Sequence, residues 1–348
     1  LLGIIFLMSK ILILKNDRAG DLFTSLKLIS TVARDFDNTK IYLSELNVSF
    51  GFFFKDYNVK KINFNLSIID KLCILVDIFK NNYEKIYIIS PKSFFFLLPL
   101  FFRKTKFYAI VYDGKKRYRP NKLLRKFIYK YKIVSRKKIN KYSYRQLQEQ
   151  LIDDKQILDD NFYNLKIPKA NPSIDKLISG KYIFFQFRYK FFEELKWSKK
   201  NIIYFLNFLK TKHENVLFCS DIENTIKSNE FKEFFLKNFP YIDLNNNSKH
   251  ENTTNKNIYY LKELKSVDMF HVIKKSTLCL AKEGIVSHIC FFHKVKCHNL
   301  FNFKLKDNKD IYHQKISYSE WCKGMNFGFS FLNQDINKTI KKLKNQII

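Results

Sequence analysis

Cysteine motifs of the kind that bind zinc are absent from this chain. Its six cysteines are Cys73, Cys219, Cys279, Cys290, Cys297 and Cys322. They form no C-x-x-C pair and no cluster, which argues against a zinc site. Cys73, Cys219 and Cys279 lie inside apolar runs, where a reduced buried thiol is expected. This pattern predicts a cytoplasmic protein without a metal.

A long hydrophobic run is also missing. The segment SFFFLLPLFF at 93–102 has about half the length that a transmembrane helix needs, and Pro99 interrupts it. The leading LLGIIFLM lacks a charged flank and a small-residue cleavage site. We expect translation to begin at Met8 and the protein to reach a membrane only peripherally, at the inner face of the plasma membrane.

Glycine and proline are scarce, with 8 and 6 residues among 348, whereas 46% of the residues are hydrophobic. This composition excludes long disordered spans. A chain of this length exceeds one usual core, so it predicts two domains. Where Gly is so rare, a Gly between a strand and a helix has a backbone role.

Acidic residues are outnumbered, and the formal net charge is +31. The abundance of Lys, Asn, Ile and Phe matches an AT-rich coding bias, which weakens the charge as evidence for a polyanionic partner. Its distribution is more informative: residues 103–145 hold 17 Lys or Arg, interleaved with Tyr, against the single acid Asp113. This basic block fits an anionic membrane or phosphorylated glycolipid, nucleic acid, or a solvated Lys-rich face.

Short β-branched and aromatic runs alternate with amphipathic stretches throughout. Strands are predicted at 10–14, 40–44, 59–64, 85–90 and 106–113, and then at 182–188, 215–220, 257–261, 278–283 and 294–301. The first helices are predicted at 21–34, 68–81 and 92–102. The later ones are expected at 199–211, 222–237, 266–275 and 285–293. The pattern predicts an α/β protein with two Rossmann-like doubly wound domains.

Two prolines and a glycine break the alternation between 167 and 182. We therefore expect an N-terminal domain at 8–168 and a C-terminal domain at 176–330. A closing helix at 331–348 can return to the N-terminal domain. Ligands of open α/β sheets bind at the carboxyl ends of the strands, where two facing domains would form a cleft.

The first candidate site follows the first strand, in NDRAGDLFTSL. Gly20 allows a tight turn after Arg18, and Asp21 falls at the start of the next helix. An Asp there is also a common N-cap, and that structural role is the more frequent one for such a residue alone.

The second candidate site is EGIVSHIC, with Glu283, Gly284 and His288 on a turn into a helix. Free N–H groups at a helix N-terminus, with Gly for close approach, suit a diphosphate. Taken alone, a histidine such as His288 is more often a half-buried structural residue with its hydrogen bonds satisfied.

The third stretch is FFQFRYKFFEELKWSKKNI. Gln186 and Arg188 end a strand, and Lys196 with Trp197 precedes a helix. Cations here can neutralise phosphate charge, although an ordinary basic loop has the same composition.

Taken in order, these three stretches resemble glycosyltransferase family 9, the lipopolysaccharide heptosyltransferases with the two-Rossmann GT-B architecture. NDRAGD resembles that family's R-x-G-D turn, whose acid is the catalytic base, and this places that role on Asp21. EGIVSHIC aligns with D-[ST]-G-x-x-H-x-[AT], which holds the donor's diphosphate through backbone N–H groups. EELKWSKKNI resembles the family's K-x-W-P segment, whose Lys contacts the donor phosphate, and Lys196 is the nearest candidate for that role.

The chain departs from the family pattern within these motifs: Glu283 stands for Asp, Gly284 for Ser or Thr, and Ile285 for Gly, while Ser198 stands where Pro is usual. The resemblance implies an inverting, metal-independent transfer of a sugar, with heptose as the family's best-known case. The donor would be a nucleotide sugar such as ADP-heptose, the acceptor a lipopolysaccharide-type or other surface glycan, and no cofactor is needed. The single D-x-D, at 35–37, is expected to be a surface cap.

Two other classes of function remain open. The altered turn at 283–285 fits an inactive scaffold with the same fold. The basic block fits a nucleic-acid-binding protein, but the chain has no RNP, KH, zinc-finger or helix-turn-helix signature. We expect a nucleotide sugar and a glycolipid as partners, and no nucleic acid.

Overall fold

A computed structural model gives the structure of the chain. The residues it describes are 10–36, 38–113, 120, 122–134, 142, 144–153, 157–158, 167–172, 174, 176, 178, 180–220, 225–251, 255–282, 284–302 and 327–345. The described residues divide into two compact units between Ile167 and Pro168. No described helix is long and apolar enough to cross a bilayer.

The first unit is built on a parallel sheet of six described strands. They are β1 (Lys10–Lys15), β2 (Asn38–Ser44), β3 (Asn58–Ile62), β4 (Lys85–Ile88), β5 (Lys106–Tyr112) and β6 (Lys130–Val134), in the order β3-β2-β1-β4-β5-β6. The apolar residues of β1 are fully buried, as expected for a central strand covered on both faces. In this strand order, the direction in which the chain adds strands to the sheet reverses between β1 and β4.

Helices connect these strands. They are α1 (Ala19–Arg34), α2 (Ile68–Asn81), α3 (Leu98–Phe101), α4 (Lys122–Arg125) and α5 (Tyr144–Glu149), with 3₁₀ turns at Val48–Phe54 and Phe95–Leu97. Ser67 caps α2 in a capping box with Asp70, which satisfies two backbone N–H groups at the helix start. Ile74 and Ile78 of α2 pack into a core with Leu12, Leu14 and other buried side chains of the sheet.

The second unit holds eight described strands. They are β7 (Tyr182–Phe187), β8 (Asn215–Ser220), β9 (Tyr241–Asp243), β10 (Ser248–His250), β11 (Ile258–Lys262), β12 (Leu278–Lys282), β13 (Cys297–Asn302) and β14 (Phe327–Leu332), in the order β10-β9-β11-β8-β7-β12-β13-β14. Only β10 is antiparallel to its neighbour among the described pairs. Chain order reverses between β7 and β12, so this unit is also doubly wound.

The helices of the second unit are α6 (Tyr189–Leu195), α7 (Lys199–Lys210), α8 (Ile226–Asn238), α9 (Ser266–Lys275), α10 (Ile285–His293) and α11 (Ile336–Lys344). The sequence allowed the closing helix to return to the N-terminal domain. In the structure, Ile340 and Leu343 of α11 lie in the core of the second unit, beside α7 and β14. The burial of these two side chains fixes the helix there.

Three local expectations need correction. The helix expected at 92–102 is a 3₁₀ turn followed by the four-residue α3, because Pro99 cannot donate a backbone hydrogen bond. Residues 331 and 332 end strand β14 rather than beginning a helix, and Asp335 caps α11. Cys73 is partly exposed, whereas Cys219 and Cys279 are buried, as expected.

Candidate functional site

Acidic side chains gather where the first sheet reverses its strand order. Asp17 follows β1 and Ser90 follows β4, and these two strands are neighbours. The Ser90 hydroxyl donates to Asp17 Oδ2 at 2.8 Å. In doubly wound sheets this reversal opens a crevice at the carboxyl ends of the strands, where ligands bind. The first candidate site therefore lies at the switch point of the first unit.

Lys15 is a fully buried cation at the end of β1. Its Nζ lies 2.7 Å from Asp17 Oδ2, and its side chain is 0% exposed. Asn47 Nδ2 also donates to Asp17, at Oδ1, over 3.3 Å. A buried cation needs such a partner, and these contacts fix the Asp17 side chain in place.

Asp21 is the third residue of α1 and points back to the helix start. Arg18 is the N-cap and has an extended backbone with no side-chain cap, and its N–H donates to the Asp21 carboxylate. Asp21 is therefore not the N-cap itself. Burial, followed by the negative charge of Asp17, raises the pKa of Asp21 to about 6, although Lys15 and Arg18 oppose the rise. A carboxylate with this pKa can accept a proton near neutral pH.

Side chains of α1 and α5 hold the start of α1 in place through hydrogen bonds. Thr24 and Ser25 donate their hydroxyls to the Asp21 carbonyl at 2.7 and 3.0 Å, and Gln148 of α5 donates to Thr24 Oγ1 at 3.3 Å. Tyr144 of α5 is buried, and burial with the nearby Tyr112 raises its pKa well above the usual range. Its phenol therefore stays neutral beside the two acids.

Gly20 does not have the conformation that the sequence suggested. It is the second residue of α1 and is not among the described glycines with positive φ. The turn is made at Arg18, which is extended and exposed. The structure thus brings Arg18, Gly20 and Asp21 together with Lys15 and Asp17.

The second unit carries its candidate residues at its own switch point. Arg188 follows β7 and Gly284 follows β12, and the two strands pair in parallel with Ala281 opposite Gln186. Both residues therefore lie at the carboxyl edge of neighbouring strands. The Arg188 side chain is exposed, and no described residue pairs with it.

Gly284 is the N-cap of α10 and has φ +146° and ψ −145°, a conformation that is nearly restricted to glycine. A Cβ there would meet only Lys282 O at 3.9 Å, so the constraint is the backbone angle rather than space. No side chain in the described part of the chain caps α10, so within that part its first N–H groups are available to an anion. Ile285 is the first residue of the helix and His288 the fourth, both partly exposed.

Ser287 ties α10 to the sheet. Its buried hydroxyl donates to Asn299 Oδ1 of β13 at 2.6 Å, which fixes the direction of the helix start. Glu283, the acid that the motif places before Gly284, lies outside the described residues.

Lys196 occupies the turn between α6 and α7. It is exposed, has a left-handed backbone with φ 55°, and has no described side-chain partner. The neighbouring Trp197 is buried and donates from Nε1 to Asn333 O at 3.0 Å, while Ser198 caps α7 by accepting from Asn201 N. Trp197 thus anchors the turn, which fixes the backbone from which the Lys196 side chain extends.

The part of the chain that the structure describes contains no group of three or more His, Cys, Asp or Glu residues that could hold a metal ion. Asp35 follows α1 as its C-cap and lies 3.4 Å from Arg34 Nε. Asp37, the second acid of the D-x-D sequence, lies outside the described residues.

Two doubly wound α/β units, each with polar residues at its switch point, define the GT-B fold. Comparison with solved structures agrees with this assignment. The chain is similar to the Escherichia coli heptosyltransferase WaaC bound to ADP-2-deoxy-2-fluoro heptose, with a TM-score of 0.58, 9% identity, and coverage of 97% of this chain and 98% of that one. It therefore has the fold of the family 9 heptosyltransferases, as the sequence motifs predicted.

A family 9 glycosyltransferase from Veillonella parvula matches with a TM-score of 0.58, 10% identity, and coverage of 98% and 90%. A UDP-GlcNAc 2-epimerase from Methanocaldococcus jannaschii matches with a TM-score of 0.55, 12% identity, and coverage of 97% and 92%. No protein-family model matches the chain, and no curated protein matches it. Because epimerases share this fold, the choice of reaction depends on the site.

Sequence reasoning missed Lys15, Asp17, Asn47 and Ser90. A signal was present for the first two, because a Lys directly after four apolar strand residues and two positions before an Asp suggests a buried pair. Asn47 and Ser90 are distant in sequence, and only the parallel pairing of β1 with β2 and β4 brings them to Asp17.

Proposed function

We propose that this protein is an inverting, metal-independent glycosyltransferase. It would move a sugar, heptose being the first candidate, from a nucleotide-diphosphate donor to a lipopolysaccharide-type or other surface glycan. The observation that carries the proposal is Asp21, a carboxylate at a switch point whose pKa is raised to about 6. The GT-B fold supports it, because this fold is shared with a heptosyltransferase that was crystallised with a fluorinated ADP-heptose.

Asp21 would act as the general base. It removes the proton of the acceptor hydroxyl while that oxygen forms a bond to the anomeric carbon and the bond to the nucleoside diphosphate breaks. Attack opposite the leaving group inverts the anomeric carbon. The Arg18 N–H would hold the carboxylate in position, and the negative charge of Asp17 would make it more basic.

The departing diphosphate would be stabilised in the second unit. The N–H groups at the start of α10, at Gly284 and Ile285, would stabilise the negative charge of the diphosphate. Arg188 would add a positive charge from the end of β7, the strand that pairs with β12. Lys196, His288 and Glu283 complete the proposed donor set by resemblance. With these cations and N–H groups, the proposed transfer needs no metal ion and no cofactor beyond the nucleotide sugar.

Turnover of a donor panel tests the proposal. ADP-heptose, UDP-GlcNAc and other nucleotide sugars are incubated with candidate glycolipid acceptors, and released nucleoside diphosphate is measured for wild type and Asp21→Asn. Loss of the base should lower kcat by about 10²–10⁴-fold. Asp35→Asn, a surface cap in the same unit, is the control and should keep full activity.

Two outcomes would contradict this mechanism. Equal activity of wild type and Asp21→Asn would exclude Asp21 as the base. Interconversion of UDP-GlcNAc without transfer would assign the chain to epimerisation instead.

The acceptor side involves the basic block 103–145. Its described part includes exposed Tyr129 with Lys106 Nζ 5.2 Å from its ring centre, and Arg103 over the ring of Phe127 at 5.6 Å. We propose that this block contacts an anionic membrane or a phosphorylated glycolipid. Liposome flotation with and without anionic lipid tests it, and equal flotation in both would refute it.

An inactive scaffold is the first alternative, suggested by the altered 283–285 turn. It predicts no turnover of any donor and no change in thermal stability with ADP or UDP. Nucleic-acid binding is the second, suggested by the basic block. Filter binding across a salt series addresses it, because such binding weakens steeply with ionic strength.

A further inference from the structure

Helix α2 in the first unit is apolar on two sides. Its core side is expected: Ile74 and Ile78 are buried against the sheet. Its outer side is apolar as well, although that side faces solvent. A helix in this position normally presents polar residues outward.

The outer residues recur every three or four positions and so share one face. They are Ile68, Ile69, Leu72, Val76 and Phe79, and each is between 50% and 76% exposed. We call this set the α2 apolar face. An ordinary helix gains nothing from exposing five large apolar side chains, so this face indicates an interaction surface.

A neighbouring aromatic residue extends this surface. Phe101 of α3 is 71% exposed. Together with Phe102 and the outer side of α2 it lines a shallow groove of about 410 Å³, whose other lining residues are Leu75, Val76 and Phe79. The surface is therefore continuous across two helices.

The charges around this surface are mainly positive. Lys71 lies one turn from Leu75, Lys80 lies one turn from Val76, and Arg103 and Lys104 follow the two phenylalanines. All four are basic side chains.

The two acids of α2 are already engaged. Asp70 accepts from Ser67 in the capping box, and Asp77 pairs with Lys40 at 2.6 Å and accepts from Tyr42 at 3.0 Å. Lys40 therefore offsets the charge of Asp77, whereas Asp70 keeps its negative charge at the N-terminal end of α2. The border of the α2 apolar face remains positive, because its four basic residues outnumber this one carboxylate.

An apolar face with a cationic border complements an anionic phospholipid surface. A second copy of this chain is a poorer match, because self-association would bring the two sets of cations together. We propose that the α2 apolar face and Phe101 insert into the headgroup and acyl boundary of a bilayer that contains anionic lipid. This inference does not depend on the proposed transferase activity, and it adds an apolar anchor to the contact proposed for residues 103–145.

Vesicle sedimentation of the full chain tests the inference. The probes are phosphatidylcholine vesicles with and without about a third phosphatidylglycerol. We expect binding to the anionic vesicles, and the double variant Leu72→Ser/Phe79→Ser should bind at least about tenfold more weakly, because both side chains lose apolar burial in the lipid.

Ile226→Ser is the matched control. Ile226 is 81% exposed at the start of α8 in the second unit, so its replacement also removes an exposed apolar side chain. The control should bind like wild type. Since none of these side chains is in a core, circular dichroism should show unchanged folding for all the variants.

Fluorescence separates insertion from surface adsorption. With brominated phosphatidylcholine in the anionic vesicles, the tryptophan introduced by Phe79→Trp should be quenched and the one introduced by Ile226→Trp should not. Equal sedimentation of the double variant and wild type would overturn the proposal, as would a Phe79→Trp variant whose added fluorescence the bromine leaves unquenched. A concentration-dependent dimer that the double variant abolishes would assign the face to self-association instead.

Discussion

Asp21→Asn should stabilise the folded protein at pH 8, even though it removes the proposed base. At that pH the native chain holds a partly buried carboxylate next to the charge of Asp17. Asn keeps nearly the same shape, and its side-chain oxygen can still accept from the Arg18 N–H. It lacks the charge that burial and Asp17 disfavour.

The magnitude follows from the displaced pKa. The Asp21 pKa rises from its ordinary 3.8 to about 6. A pKa difference of about 2 corresponds to about 3 kcal/mol of unfolding free energy. Solvent still reaches this side chain, which reduces the expected effect to about 2 kcal/mol. Because the folded-state pKa is the higher one, the stability that protonation supplies is complete below about pH 3.8 and is lost as the pH rises through about 6.

Thermal unfolding of wild type and variant between pH 4.5 and 8 measures this effect. For a unit of this size, 2 kcal/mol shifts Tm by about 4–8 °C. The variant should melt that much higher at pH 8, and the difference should shrink towards pH 4.5 as wild type takes up its proton. A variant that melts lower at pH 8, or a shift that is independent of pH, would refute the assignment of a destabilised carboxylate.

Three further predictions concern the same two switch points. The kcat/KM for transfer should rise with pH, with a midpoint at about pH 6. Asp17→Asn should lower that midpoint, because the Asp17 charge is the second cause of the raised Asp21 pKa. A pH–rate profile of wild type and of the variant measures both midpoints. Asp17→Asn should also destabilise the fold by about 3 kcal/mol in denaturant titration, since Lys15, at 0% exposed, would lose its partner; an unchanged midpoint would contradict this. Gly284→Ala should cost about 1–3 kcal/mol because of its φ of +146°, and should weaken the thermal shift caused by ADP, whereas Gly51→Ala, which meets nothing within 4 Å, should change neither.

Local patterns predicted the strands that carry both switch points. These strands are short apolar runs bounded by polar residues, and this pattern of hydrophobic residues identifies them without tertiary information. They are β1, β2, β4, β7, β8 and β12. The edge strands were harder. β6 alternates Lys with Tyr and Ile, and β14 is a Phe-rich run beside a helical pattern. Neither segment resembles a buried strand in the sequence, and each is identified only by its pairing with the neighbouring strand of the sheet.

The candidate site divides in the same way. The location of Asp21 and Gly284 at a turn between a strand and a helix was predicted from sequence context, because such a turn is a local feature. Two aspects of Asp21 were not visible: that Arg18 rather than Asp21 caps α1, and that burial beside Asp17 raises its pKa to about 6. Both depend on how the turn packs.

The sequence by itself determined the α/β class, the two-domain division and the residues at two strand ends, because periodicity and turn composition act over a few neighbouring positions. The tertiary structure alone decided the burial of Lys15, the contacts that Ser90 and Asn47 make with Asp17, and the exposure of the α2 apolar face. Those features depend on parallel pairing between strands that are distant in the chain, and a linear pattern does not encode which face of a helix will find a partner.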